Sequence, residues 1–237
     1  MSRYLALLWV GVSLAACVTP IEFNGDSTIG SIALLTVEEP DEYHIEVTSV
    51  GEALFVATAA AGGGVLGAVM AQSAAARGPE GEVSAEIAHQ NVKLGAELTA
   101  ALRERLGASG FDIEMLDVAP RANNFLQDYM TVPTGADAVL DANITFAGFV
   151  DDPFGDFTPI VVAKARLVVP QTNTVLFARE YHYSDKGGLF RDTIPIPEEF
   201  LFDTYEDALA DPVKIGAALR AAIPIIADDI AASLMPN

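Results

Sequence analysis

The chain contains a single cysteine, so no disulfide within the molecule can stabilise its fold. A hydrophobic core has to do so, and the composition allows it, because 51% of the 237 residues are hydrophobic. A chain of this length buries enough apolar surface for one large domain, or for a domain with an appendage. The sequence therefore predicts a domain held together by packing rather than by covalent crosslinks.

That cysteine, Cys17, ends an N-terminal segment with the features of an export signal. Arg3 supplies a positive charge, and the apolar run at 4–12 is too short to span a bilayer as a resident helix. The segment Leu14-Ala15-Ala16-Cys17 resembles the lipobox of bacterial lipoproteins. The resemblance implies cleavage before Cys17 and acylation of its thiol, with fatty acids such as palmitate. The alternative is an ordinary signal peptide followed by an unpaired cysteine.

The residue after the cysteine indicates in which membrane a lipoprotein is anchored. In the lipoprotein family an aspartate at this position marks retention in the inner membrane, whereas this chain has Val18. The resemblance therefore implies an anchor in the outer membrane of a Gram-negative envelope, and the periplasmic side is favoured over the cell surface. The resemblance also implies three acyl chains on Cys17, which would hold the protein far more firmly than one myristoyl group does.

Removal of the signal leaves a strongly acidic chain. Without Arg3, 12 basic residues face 33 acidic ones, which makes the net charge −21. This sign argues against binding to nucleic acid or to anionic lipid surfaces, because both require cationic patches. The acidic residues are scattered along the chain, a pattern typical of a soluble surface.

Hydrophobic periodicity predicts strands before and after one long amphipathic helix. The strands are predicted at 28–37, 43–48, 111–118, 138–150, 159–169 and 174–183, and the helices at 83–108, at 198–209 and from 211 onward. Ser109-Gly110 ends the first helix, and Asp211 with Pro212 begins the last one. This order predicts an α+β fold, in which helices cover one face of a mixed, largely antiparallel sheet.

The predicted organisation is a signal peptide at 1–16, a lipidated tether at 17–27 and one α+β domain at 28–237. One stretch of the domain resembles the helix-strand-strand core of small envelope lipoproteins related to the curli secretion pore and the N-terminal domain of TolB. It runs from Leu98 through Gly110-Phe111-Asp112-Ile113 to Ala136-Asp137-Ala138-Val139-Leu140 and covers roughly a third of the chain.

An uncharged helical insertion rich in Ala and Gly is predicted at 53–76. Small residues recur there at every fourth position and form the small-residue stripe: Ala59, Gly63, Gly67, Ala71 and Ala75. On a helix, this stripe permits close self-association or membrane contact, and it resembles the glycine-zipper segments of some outer-membrane lipoproteins. Packing on the chain's own domain and a flexible linker are the alternatives, since each glycine costs about 1 kcal/mol in a helix.

Motifs of catalysis and cofactor binding are absent from the mature sequence. The three histidines, His44, His89 and His182, lie on different predicted elements and lack metal-ligand spacing. The sequence lacks a Gly-x-Ser-x-Gly elbow, a Walker loop and a dinucleotide fingerprint, and acylation of Cys17 leaves no free thiol. We therefore expect no enzymatic activity, no metal centre and no cofactor.

Three weaker candidate sites rest on charged or aromatic side chains. An acidic turn either binds Ca²⁺ weakly or is simply solvated: Asp151, Asp152 and Asp156. The polar face of the sheet carries residues expected to form surface ion pairs: Asp141, Lys164, Arg166, Arg179 and Glu180. Four aromatic residues either form an interface or pack a short helix onto the sheet: Phe190, Phe200, Phe202 and Tyr205.

Together these patterns predict a non-enzymatic lipoprotein that acts as a scaffold or accessory subunit of an envelope assembly, transport or secretion system. Its expected partners are the membrane, through the anchor, and either further copies of the chain or another envelope protein. One alternative is a self-assembling pore or ring that uses the small-residue stripe. The other is a periplasmic ligand-binding module or enzyme, which needs a pocket with converging polar groups.

Overall fold

The computed structural model describes residues 20–23, 29–40, 43–47, 87, 89–118, 121, 124–151, 157–184 and 193–235. The strands in these ranges are β1 (Ser31–Leu35), β2 (His44–Val47), β3 (Asp112–Leu116), β4 (Ala138–Asp151), β5 (Phe157–Val169), β6 (Thr174–Tyr183) and β7 (Thr193–Ile194). The α-helices are α1 (Leu94–Ala108), α2 (Tyr205–Ala210) and α3 (Pro212–Ser233). Short 3₁₀ turns lie at Tyr129–Thr131 and Glu198–Phe200.

The described strands form one mixed sheet with the order β3-β1-β4-β5-β6-β7, while β2 pairs with the end of β4. The long meander β4-β5-β6 is antiparallel, whereas β1 pairs in parallel with both β3 and β4. Two short parallel pairs, β2 with β4 and β6 with β7, complete the sheet. The predicted α+β fold with a mixed sheet is therefore confirmed.

The long helices α1 and α3 cover one face of this sheet. Leu98 and Leu102 of α1 and Leu219 and Ile226 of α3 belong to the same buried cluster as Leu140 of β4, and all five side chains are fully buried. Their spacing of four and seven residues places them on one side of each helix. This helix-facing core is the main source of packing energy in the described domain.

The helix predicted over 83–108 is interrupted in the structure after Ile87 and His89, which are both helical. Instead of one helix over 83–108, the structure has a turn at Gln90 and Asn91 and begins α1 at Leu94. Asn91 has a φ of 48°, a left-handed conformation that interrupts a helix and that Asn adopts more readily than most residues. At the other end Gly110, with a φ of 95°, follows Ser109 as predicted.

A bulge in β4 changes the face on which one aromatic residue lies. Simple alternation predicts that Phe146 shares a face with Leu140 and Ile144. The strand register shifts between Ile144 and Phe146, and Phe146 instead packs with Ile160 and Val162 in a separate cluster. The prediction for Phe146 is therefore wrong, because an extra residue in one strand reverses the alternation beyond it.

Candidate functional site

The face of the sheet away from α1 and α3 carries a row of polar side chains across three strands. We call this row the polar stripe, and it consists of Asp141 and Asn143 of β4, Lys164 and Arg166 of β5, and Glu180 and His182 of β6. The register places Asp141 opposite Arg166, Asn143 opposite Lys164, and Lys164 opposite Glu180. Because side chains alternate along a strand, these residues share one face.

Burial distinguishes the polar stripe from the solvated surface that the sequence predicts. Asp141 is 0% exposed, Asn143 1% and His182 7%. The prediction of a surface position is therefore wrong for Asp141. A charge that is removed from water is stable only if other groups pair with it. The partners of the Asp141 carboxylate therefore account for its burial.

Asp141 accepts hydrogen bonds from four groups. Its Oδ1 pairs with the Arg121 guanidinium and accepts from Asn143 Nδ2 at 3.1 Å. Its Oδ2 accepts from Leu126 N at 2.9 Å and from Tyr129 Oη at 2.8 Å. Burial raises the pKa of Asp141, while Arg121 and the other donors oppose that shift. Since all four partners donate, the site accommodates the carboxylate rather than the protonated acid.

Arg121 connects the loop between β3 and β4 to strand β4 and to the segment that follows β1. Besides pairing with Asp141, its guanidinium donates from Nη2 to the carbonyl oxygen of Thr36 at 2.7 Å. Its backbone N donates to the Glu38 carboxylate, which also lies 3.5 Å from Arg121 Nε. Arg121 belongs to no motif and to no regular element, so sequence patterns contain no signal that singles it out.

Tyr129 fastens the same loop at two further points. Its hydroxyl donates to Asp141, and its backbone N donates to Asn173 Oδ1 in the hairpin between β5 and β6 at 3.0 Å. Asp128 caps the 3₁₀ turn by accepting a hydrogen bond from Met130 N at 2.9 Å. Burial, together with the Asp141 charge, raises the pKa of Tyr129 well above its usual value, so its hydroxyl stays protonated as a donor.

Arg166 is directly opposite Asp141 in the register, but its guanidinium lies over the Phe125 ring, 4.2 Å from the centroid. This contact is a cation–π interaction from β5 to the loop. Two buried atoms of the polar stripe, Arg166 Nε and Asn143 Oδ1, have no hydrogen-bond partner among the described residues. Arg166 Nε is a donor and Asn143 Oδ1 is an acceptor, so an ordered water molecule would satisfy either atom.

Glu180 is the second carboxylate of the polar stripe, after Asp141, that binds more than one neighbouring side chain. Its carboxylate lies 3.1 Å from Lys164 Nζ and 2.7 Å from His182 Nε2, which confirms the predicted pairing of Lys164 with Glu180. Burial raises the pKa of Glu180, but the His182 hydrogen bond and the Lys164 charge outweigh it and hold that pKa below its usual value. Arg179, predicted for this face, instead lies opposite Ala165 of the helix-facing core, 5.5 Å from the Tyr181 ring.

The predicted interface aromatics that the structure describes lie in or against the core. Phe202 is only 4% exposed, with its ring centroid 5.9 Å from Phe149 and 6.4 Å from Phe157. Tyr205 contacts Phe157 edge-on at 5.7 Å, and Phe200 is partly buried against the same core. Packing onto the sheet therefore accounts for Phe202, while an interface role for Phe200 and Tyr205 stays a prediction.

Several predicted site residues lie outside the described residues: Cys17 with its lipobox, the small-residue stripe of Ala59, Gly63, Gly67, Ala71 and Ala75, and also Phe190, Asp152 and Asp156. Within the part of the chain that the structure describes, no group of three or more His, Cys, Asp or Glu side chains is placed to hold a metal ion. No helix in these same ranges is long and apolar enough to cross a membrane.

No protein-family model matches the chain, and no curated protein matches it. Among solved structures, a PelC dodecamer from Paraburkholderia phytofirmans is 10% identical, covers 93% of this chain and 98% of that chain, and has a TM-score of 0.39. Lipoprotein GNA1162 from Neisseria meningitidis is 16% identical over 68% of this chain and 90% of that chain, with a TM-score of 0.31. The hypothetical protein CT253 from Chlamydia trachomatis is 11% identical over 88% of this chain and 99% of that chain, with a TM-score of 0.39. With TM-scores below 0.5, these similarities assign no function to this chain.

Proposed function

We propose that this chain is a lipid-anchored envelope protein with a non-enzymatic role, as a scaffold or an accessory subunit of an assembly, transport or secretion system. The observation that carries the proposal is the segment Leu14-Ala15-Ala16-Cys17, which places the only cysteine of the chain at the end of an export signal. The proposed location is the outer membrane, because Val18 rather than an aspartate follows the cysteine.

The hydrogen bonding of the polar stripe supports a structural use of its charges. A catalytic acid or base needs an atom within hydrogen-bond reach of a substrate. Both oxygens of Asp141 are instead occupied by donors of the protein, and Glu180 is bound by Lys164 and His182. These contacts hold the β3–β4 loop and the central strands in place, which suits a rigid domain that presents its surface to a partner.

Metabolic labelling with a palmitate analogue tests the anchor directly. In a Gram-negative host that expresses the full chain, we expect label on the wild-type protein and on the control Ser13→Ala, which changes the residue just before the lipobox. We expect no label on Cys17→Ser, because the acylated thiol is gone. Separation of the two membranes then locates the labelled protein. Label on Cys17→Ser, or none on the wild type, contradicts the proposal.

The small-residue stripe favours a second candidate, a self-assembling ring or pore, because a long stripe of this kind permits close helix contacts. Crosslinking on intact cells distinguishes the two: a ladder at multiples of the monomer mass indicates self-assembly, whereas one band with another envelope protein indicates an accessory subunit. If the stripe makes the contact, Gly63→Leu with Gly67→Leu removes the ladder. The control Gly107→Leu should retain it, because the space beside Gly107 is open. A ladder unchanged by the double variant rules out the stripe as the contact.

A further inference from the structure

The first described residues of the chain are attached to the outer edge of β6. Ile21 N donates to the carbonyl oxygen of Ala178 at 2.8 Å, and Ala178 N donates to that of Ile21 at 2.9 Å. Ala178 faces Arg166 of β5 on its other side, so Ile21 lies on the same edge of β6 as β7. Because both backbone groups of Ala178 are engaged, this bridge fixes the position at which the chain enters the sheet.

Only three residues separate this bridge from Cys17. A fully extended chain advances at most about 3.6 Å per residue, so the Cα atoms of Cys17 and Ile21 lie within about 14 Å of each other in any conformation. An anchor at Cys17 therefore keeps the β6 edge close to the bilayer. The β3 edge lies five strand spacings from Ile21, a distance of about 24 Å across the sheet.

The chemistry of the two edges agrees with this orientation. At the β6 edge, Ile21 is 40% exposed beside the exposed Pro20, and the exposed hairpin at 171–174 is uncharged. The acidic side chains described on this side of the sheet are Glu22 and, on β6, Glu180, the latter paired with Lys164 and His182, together with the exposed Glu198 and Glu199 beyond β7. The opposite edge carries three exposed carboxylates on and just beyond β3: Asp112, Glu114 and Asp117. Exposed apolar groups favour the lipid headgroup region, whereas carboxylates favour water.

We propose that the edge of the domain formed by residues 20–23 and β6 lies against the lipid headgroups, with β3 directed away from the membrane. This orientation rests on the proposed acylation of Cys17. It leaves the β3 edge facing the aqueous compartment, where a protein partner can reach it.

Single-cysteine labelling measures this orientation, because an acylated Cys17 leaves no other thiol in the chain. Glu22→Cys lies on the proposed contact edge and Asp112→Cys at the opposite edge, and both variants replace an exposed acidic residue. Each acylated full-length variant carries one fluorophore in phosphatidylcholine vesicles that contain a headgroup quencher. We expect quenching at position 22 to be at least about twofold stronger than at position 112, since about 24 Å separates the two edges.

A longer tether tests whether the short link between Cys17 and Ile21 causes the difference in quenching. Insertion of about ten Gly and Ser residues between Val18 and Thr19 adds a root-mean-square reach of about 17 Å, and we expect it to reduce the difference in quenching. Equal quenching at the two positions, or stronger quenching at position 112, overturns the proposed orientation. A difference that persists with the longer tether supports it and shows that the edge itself, rather than the short tether, holds it at the headgroups. Flotation with the vesicles is measured in parallel, and wild-type protein that does not float contradicts the acylation itself.

Discussion

Arg121 and Asp141 form an ion pair between the β3–β4 loop and the centre of the sheet, with side chains that are 3% and 0% exposed. Arg121 comes from a loop, whereas Asp141 comes from a central strand. Each charge depends on the other, because neither is in contact with water that could replace a lost partner. The pair therefore couples the position of the loop to the integrity of the sheet.

Replacement of Arg121 by Met is expected to lower the free energy of unfolding by about 3–5 kcal/mol, because the Asp141 charge stays buried without its partner. Urea denaturation measures the change. The control Arg105→Met removes an exposed pair with Asp228, whose side chains are 38% and 57% exposed, and is expected to cost less than about 1 kcal/mol. Adding Asp141→Leu to Arg121→Met should recover part of the loss. Similar losses in the two single variants would contradict a special role for the buried pair.

Substitution by alanine is expected to have opposite effects on stability at two glycines of α1, Gly95 and Gly107. A Cβ on Gly95 would lie 2.5 Å from the carbonyl oxygen of Glu38 and 2.8 Å from that of Val37, whereas the space around Gly107 is open. Gly95→Ala should destabilise the protein by about 1–3 kcal/mol through this overpacking. Gly107→Ala should stabilise it by about 0.5 kcal/mol, since alanine favours the helix. Thermal unfolding of both variants checks the signs, and a Gly95→Ala protein as stable as the wild type refutes the close approach.

Alkaline pH is expected to weaken the fold through its buried tyrosines. Burial raises the pKa of Tyr181 and Tyr183 to about 12 and lifts the pKa of Tyr43 and Tyr129 well above the usual value of 10. Between pH 10 and pH 12 the unfolded chain loses these protons while the folded chain keeps them, so stability falls as pH rises. Tyrosinate absorbance against pH measures the shift. A native titration that coincides with that of the chain in denaturant would count against it.

Acid is expected to remove the stabilisation supplied by Glu180. Its pKa is held below the usual value, so its contribution is complete above that value and is lost as the pH falls below about 4. The variant Glu180→Gln should therefore lose less stability on acidification than the wild type, in denaturation series at several pH values. The control Glu198→Gln, at an exposed position, should follow the wild-type curve. Parallel curves for wild type and Glu180→Gln would exclude this role.

Elements that depend on neighbouring residues are predicted well from the sequence. Strands β4, β5 and β6 begin and end within two residues of the predicted bounds. The hairpin between β5 and β6 carries Asn173 with a φ of 54°, in agreement with its turn-forming sequence. Asp211 accepts a hydrogen bond from Lys214 N at 3.0 Å and caps α3 as predicted. Periodicity, turns and caps act within a few residues, so they can be read from the chain itself.

The sequence by itself determined the α+β class and the order of the main elements, because both depend on local pattern. The lipobox at Cys17 stays a prediction from the sequence. Only the tertiary structure decided that Asp141 is buried beneath a loop, that Phe146 changes face, and that Ile21 joins the edge of β6. Each of these outcomes depends on contacts between distant parts of the chain. Arg121 lies 20 residues from Asp141, and Ile21 lies far from Ala178 along the sequence. A polar residue in an alternating strand has the same local pattern whether water or a buried guanidinium covers it, and the packing of distant segments makes the difference.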